Sequence, residues 1–190
     1  MIKSRKALFF YIKPNKSLLT ANKVKREKER LYMATAGLST LGITLSYGVE
    51  TTAGQKPTAF KLLTRINEID GVSVTPEAID ASALEDPTTR NVAGRDTLTD
   101  SVNVTVNRTT ETIKEWTDLI AAYKGLTDGK RMWFQEITPG LSDAEFFVAQ
   151  PPSILPISSK SQNSLLTMEI PLVLEEMKGT DTKVEPTPGE

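Results

Sequence analysis

The side chains of this chain that could do chemistry are mostly carboxylates. Asp80, Asp86, Asp96 and Asp100 crowd one stretch, and Glu175 and Glu176 stand together further on. There is no histidine and no cysteine. That removes the commonest general base, the usual transition-metal ligands, thiol nucleophiles and disulfides together. The four aspartates lack the alternating-oxygen spacing of a calcium loop, so they read as solvated loop carboxylates. Glu175-Glu176 reads as a charged gatekeeper at a strand end rather than an acid/base dyad. Gly94-Arg95 lacks the spacing of a phosphate-binding loop. No nucleophile can be paired with a base, so the residues point to no catalytic, metal or cofactor site.

The elements that carry these residues follow from periodicity. The 190 residues suffice for one ordinary domain with a core, and 38% hydrophobic content with 25% charge is not a disordered profile. No apolar run approaches the roughly 20 residues of a membrane-spanning helix, so no membrane insertion is expected. Ser39–Val49 alternates as a first strand, with Ile43, Leu45, Tyr47 and Val49 on one face. Glu50–Pro57 is a polar loop or extended arm. Phe60–Val74 reads as one strand with irregular ends, and Ile79–Thr97 as a long aperiodic loop. Leu98–Asn107 alternates again. Thr110–Lys124 is the one clear helix: Ile113, Trp116, Leu119, Ile120 and Tyr123 form its apolar stripe. Thr109, Thr110 or Thr112 can cap it, and Gly125 stands where a left-handed terminating residue belongs. Arg131–Ile137 and Ala144–Gln150 form a hairpin through Pro139-Gly140. Leu166–Leu174 alternates longest, with Pro171 outward as at an edge or bulge. Trp116 and Trp133 are assigned to the core. One helix among six or seven strands makes the chain mainly β, a β-sandwich or partial barrel with one flanking α-helix.

Charge divides the chain. Residues 1–32 hold ten Lys or Arg against two Asp or Glu, leaving 13 against 22 in the remainder. Three readings apply to this basic extension. It could bind nucleic acid or an anionic surface. It could be a signal peptide, but Ala7–Ile12 is too short an apolar stretch. Or it could precede the natural start: Lys28-Glu29 can be written AAG GAG, a ribosome-binding sequence at a suitable distance from Met33. The resulting organisation is residues 1–32 as an extension, 33–176 as the β domain and 177–190 as a flexible polar tail.

From Ser39 onward, "STLGITLSYGVETTAGQKPT" and then "RINEIDGVSVTPEAIDASALED" resemble the major tail (tail tube) proteins of long-tailed bacteriophages, particularly those of Gram-positive hosts. The family's "I-D-x-[ST]-x-L-x-D" element stands here as Ile79 to Asp86. Its "I-P-x-I" element departs, since Glu68-Ile69-Asp70-Gly71 has no proline. The resemblance implies subunits in stacked hexameric rings around a lumen that conducts DNA without specific binding. It implies a tape-measure protein and a tail terminator as partners, and a place in the virion tail after assembly in the host cytoplasm. Interface residues are then expected in the long loop (Ile79, Asp80, Leu84, Arg90, Val92, Arg95, Leu98) and in the arm after the first strand (Val49, Thr51, Thr52, Gln55, Lys56). An acidic lumen would repel phosphates, although a soluble acidic surface explains the charge equally well. The alternatives are the inner tube of a contractile injection or secretion apparatus, and a carbohydrate-binding β-sandwich. The second would want aromatic residues in the long loop, which has none.

Overall fold

The computed structural model describes residues 37–188. The basic extension and its proposed start at Met33 lie outside the described residues. The chain divides after Ser39, and the fold below is that of the unit beginning at Thr40.

The chain is mainly β, with antiparallel sheets and, among the described residues, one helix. The strands are β1 (Thr44–Val49), β2 (Lys61–Leu63), β3 (Ile66–Ile69), β4 (Val74–Asp80), β5 (Asn91–Leu98), β6 (Ser101–Asn107), β7 (Met132–Ile137), β8 (Asp143–Gln150) and β9 (Thr167–Thr182); the helix α1 (Thr110–Lys124) lies between β6 and β7. Among the described residues, seven strands form one sheet in the order β2-β1-β7-β8-β9-β6-β3, and β4 pairs only with β5. The two edges of the large sheet, β2 and β3, are separated only by Thr64 and Arg65. The sheet therefore curls round without a ladder that closes it. This agrees with the expected sandwich or partial barrel with a flanking helix.

The curled sheet and the helix share one core. Leu45 and Tyr47 of β1, Val102, Val104 and Val106 of β6, Phe134 of β7 and Met168, Ile170 and Leu172 of β9 meet Trp116, Leu119 and Ile120 of α1. Phe134 and Phe147 stack with centroids 5.3 Å apart. Each such buried side chain stabilises the fold by about 2 kcal/mol. α1 starts at Thr109, whose Oγ1 accepts from the Thr112 N–H while the Thr109 N–H donates to the Thr112 Oγ1. This is a reciprocal cap that satisfies two donors at the helix start. On the opposite sheet face, Phe60, Trp133, Ala144, Phe146 and Val148 form a second cluster. Both tryptophans are core residues, as expected; the Trp133 indole N–H donates to Glu50, while that of Trp116 finds no acceptor.

Several expected boundaries are corrected. Phe60–Val74 is not one strand: Arg65 adopts φ 56°, and this kink sends β2 to β1 and β3 to β6. The long loop is about half strand: Ile79 and Asp80 end β4, and β5 occupies Asn91–Leu98 and pairs with β4, leaving residues 81–90 as the loop between them. Both faces of that hairpin are wet, so its side chains show no apolar alternation to read. Leu98–Asn107 is broken at Thr99 and Asp100 between β5 and β6. Gly125 is right-handed at φ −82°, because a further turn follows in which the Leu126 N–H bonds the Tyr123 carbonyl. The left-handed residues that follow the helix are Asp128 and Gly129.

Pro171 does not mark an edge, because β9 lies between β8 and β6. The Leu174 N–H bonds the Asp100 carbonyl, so in an antiparallel ladder the even residues of β9 face β6 and Pro171 faces the β8 side. β8 ends opposite Val173, so the missing N–H costs no ladder bond. The tail expected from residue 177 is also corrected. β9 runs on to Thr182, with Glu175 and Lys178 left unpaired as bulges against β8. Each bulge shifts the alternation by one, which conceals the strand in the sequence.

Candidate assembly surfaces

All the residues expected in the long loop stand on the β4–β5 hairpin or its tip. Ile79 pairs with Val92, and Asp80 with Asn91. Arg95 and Leu98 lie further along β5. Every residue of β4 is exposed, as are most of β5. Gly94 lets Ile79 lie across the hairpin, since a Cβ there would stand 2.8 Å from the Ile79 Cδ1. The tip between the strands is organised by Asp80 and Asp86. Asp80 accepts from the Ser82 N–H at 2.9 Å and the Ser82 hydroxyl at 2.5 Å. Ser82 Oγ accepts from the Arg90 N–H at 2.8 Å. Asp86 accepts from the Ala83 N–H at 3.0 Å and pairs with Arg90 at 3.7 Å. The Ser82 hydrogen bonds hold the Asp80 carboxyl below its ordinary range. Asp80, Ser82 and Asp86 thus brace the turn, and they present Leu84 fully exposed at the tip.

The arm after β1 divides in two. Val49 belongs to β1, while Thr51, Thr52 and Gln55 are exposed. Lys56 is engaged within its own chain: Nζ donates to Asp181 at 2.8 Å and to the Thr182 carbonyl at 2.6 Å, and it lies 4.1 Å from the Phe146 ring centroid. The structure therefore brings the expected loop residues together on one hairpin, while Val49 and Leu98 both pack against the main core.

Glu50, absent from the sequence-based candidates, roots the arm. It is buried and accepts from the Trp133 Nε1 at 2.7 Å, the Gly54 N–H at 2.8 Å and the Arg131 N–H at 3.1 Å, with Arg131 Nε 3.4 Å away. Burial pushes the carboxyl up, but the hydrogen bonds from Trp133, Gly54 and Arg131 and the Arg131 charge outweigh it, so Glu50 is held below the ordinary range. Arg131 also pairs with Glu176 at 2.6 Å, and Glu176 with Lys178 at 2.6 Å. Glu176 is thus a bridging partner inside β9, not a residue at a strand end; Glu175 accepts from Gln150. The one sequence signal for Glu50 was its position directly after an alternating strand, which is ambiguous by itself.

A second acidic feature is Glu136 of β7, directly opposite Glu145 of β8. Burial raises the Glu136 carboxyl, and the Glu145 charge adds to it. A cleft of about 350 Å³ lined by Ile43, Ile66, Glu68 and Ile69 opens beside it. Among the described residues, no three acidic groups converge as metal ligands would.

No protein-family description matches the chain, and no curated protein matches it. Solved structures do. One is a chain described as "Tail of empty GTA particle computed with helical refinement, C6 symmetry": TM-score 0.50 at 14% identity, over 77% of this chain and 99% of that one. Another, from the six-fold symmetrised baseplate of the anti-feeding prophage, aligns at TM-score 0.48 and 14% identity, over 77% of this chain and 96% of that one. At this identity the first likeness establishes the fold: a curled antiparallel sheet with one helix, a fold also found in the tail of a phage-like particle.

Proposed function

We propose that the chain is a structural subunit of a phage-type tail tube, with no catalytic role. Copies would form sixfold rings that stack into a conduit for DNA, in a virion tail assembled in the host cytoplasm. The observation that carries this reading is the β4–β5 hairpin. A two-stranded hairpin wet on both faces is marginal alone in water, and this one holds Ile79, Leu84 and Val92 exposed. Such an element gains stability by packing on another copy, and a protein that presents one suits stacking. The fold shared with a chain from a C6-symmetric tail supports the sixfold arrangement. The hairpin residues Ile79, Asp80, Leu84, Arg90, Val92, Arg95 and Leu98 would meet a neighbour, as would Val49, Thr51, Thr52 and Gln55 of the arm, while Lys56 steadies the arm from within. A tape-measure protein and a tail terminator would set and end the tube. Negative-stain microscopy of the concentrated protein tests the reading. Rings or tubes are expected without nucleotide or metal, and a strict monomer at every concentration would reject it.

A further inference from the structure

The two edges of the seven-stranded sheet are treated differently. β3 pairs with β6 on one side, and its other side carries no backbone hydrogen bond among the described residues. The outer edge of β2 is met by Thr187, near the end of the chain segment 183–187. The Leu62 N–H donates to the Thr187 carbonyl at 2.9 Å, and the Thr187 N–H to the Phe60 carbonyl at 2.8 Å. This makes Lys61 and Thr187 a parallel bridge. It satisfies the outward Leu62 N–H of the three-residue strand and the Phe60 carbonyl just before it.

The cover is seated by a specific reader. Gln135 is fully buried on β7, yet its amide grips both backbone groups of Val184. Nε2 donates to the Val184 carbonyl at 2.8 Å, and the Val184 N–H donates to Oε1 at 2.8 Å. The Val184 side chain packs on the cluster of Phe60, Trp133, Phe146 and Val148. The Gln135 amide of the interior strand β7 thus holds the segment before Thr187 reaches the edge of β2. Beyond five hydrogen bonds, to Phe60, Leu62 and Gln135, the cover has little apolar hold. Its apolar anchor is Val184, its bridge is a single residue, and the exposed Thr180–Thr182 leads into it. Segments with few buried apolar contacts open first.

We propose that the β2 edge is an interaction site for a second copy of this chain, held closed in the free subunit by residues 183–187. The fitting partner is the bare β3 edge of the next copy. One edge offers exposed Lys61, the other exposed Glu68, and joining unlike edges is a head-to-tail contact that can close into a ring. A sheet with two bare edges would add copies without control; here, among the described residues, one edge is unpaired and the other capped, so joining waits on release of the cap. This rests on the self-assembly reading above and adds what gates it.

The absence of native cysteine makes the test clean. The double variant Lys61→Cys, Thr187→Cys joins bridge partners, whose separation a disulfide spans. Oxidised, it should stay monomeric at concentrations where the same protein with reductant assembles, and reductant should restore assembly. Removing residues 183–190 should lower the concentration needed. In the intact chain, Lys61→Glu should impair assembly and an added Glu68→Lys should recover it. Equal assembly of oxidised and reduced protein overturns the cap while leaving the tail-tube reading intact. So does intermolecular disulfide formation between mixed single variants Lys61→Cys and Thr187→Cys, which would put a partner's tail, not its β3, on this edge. Failure of the charge exchange to recover assembly overturns the choice of β3. No assembly from wild type, reduced or truncated protein rejects both proposals.

Discussion

At the scale of residues, the most consequential group is one that spacing alone does not single out. Glu50 receives three hydrogen bonds and an ion pair in a buried place, so removing it leaves Trp133 Nε1 and two backbone donors without their acceptor. Glu50→Ala should cost about 3 kcal/mol in urea unfolding at neutral pH, and Glu50→Gln, which keeps an acceptor, less. The pH dependence follows from the depressed carboxyl. Its stabilisation is fully present above the ordinary value of 4.5 and is lost as pH falls through the lower folded value. The Gln variant should therefore show a shallower loss of stability in acid than wild type. Glu136 has the opposite sign. Its folded value is raised, so the ionised form weakens the fold above that value and the penalty vanishes below 4.5. Glu136→Gln should melt higher than wild type at pH 7 and no higher at pH 4. Differential scanning calorimetry at the two pH values reads this directly.

At the scale of elements, the β4–β5 hairpin should separate folding from assembly. It pairs only with itself, so changes at its tip leave the main core untouched. Leu84→Asp should hurt assembly more than Arg90→Ala, because an exposed ion pair such as Arg90–Asp86 contributes under about 1 kcal/mol whereas Leu84 offers a whole apolar side chain. Circular dichroism should show both variants folded, and sedimentation should rank their assembly. The same hairpin shows where sequence reading stops. α1 was legible to its bounds, Thr110–Lys124, because one of its faces meets the core and imprints a helical period. The alternation of β6 and the first half of β9 was legible for the same reason. β5 was not, because neither of its faces is buried and its Asn, Ala, Gly, Arg and Asp follow no partner. The end of β9 was hidden by two bulges that reset the alternation. Glu50 was hidden because its partners, Trp133 and Arg131, come from a strand some eighty residues away.

At the scale of the whole molecule, a self-contained core carries parts that are incomplete alone. These are a wet hairpin, a bare sheet edge, a capped one and an arm whose tip reaches solvent. The carboxylates Asp80 and Asp86 of the hairpin tip are engaged in holding its shape. In the proposed function these parts find their remaining partners in further copies of the chain. The most direct test of that claim is electron microscopy of the purified full-length chain across a concentration series, with sedimentation velocity on the same samples. Assembly should set in above a threshold concentration, giving rings and stacked tubes with sixfold end views and no requirement for metal or nucleotide. A single slowly sedimenting species at every concentration, with no ring or tube in any field, would contradict the account.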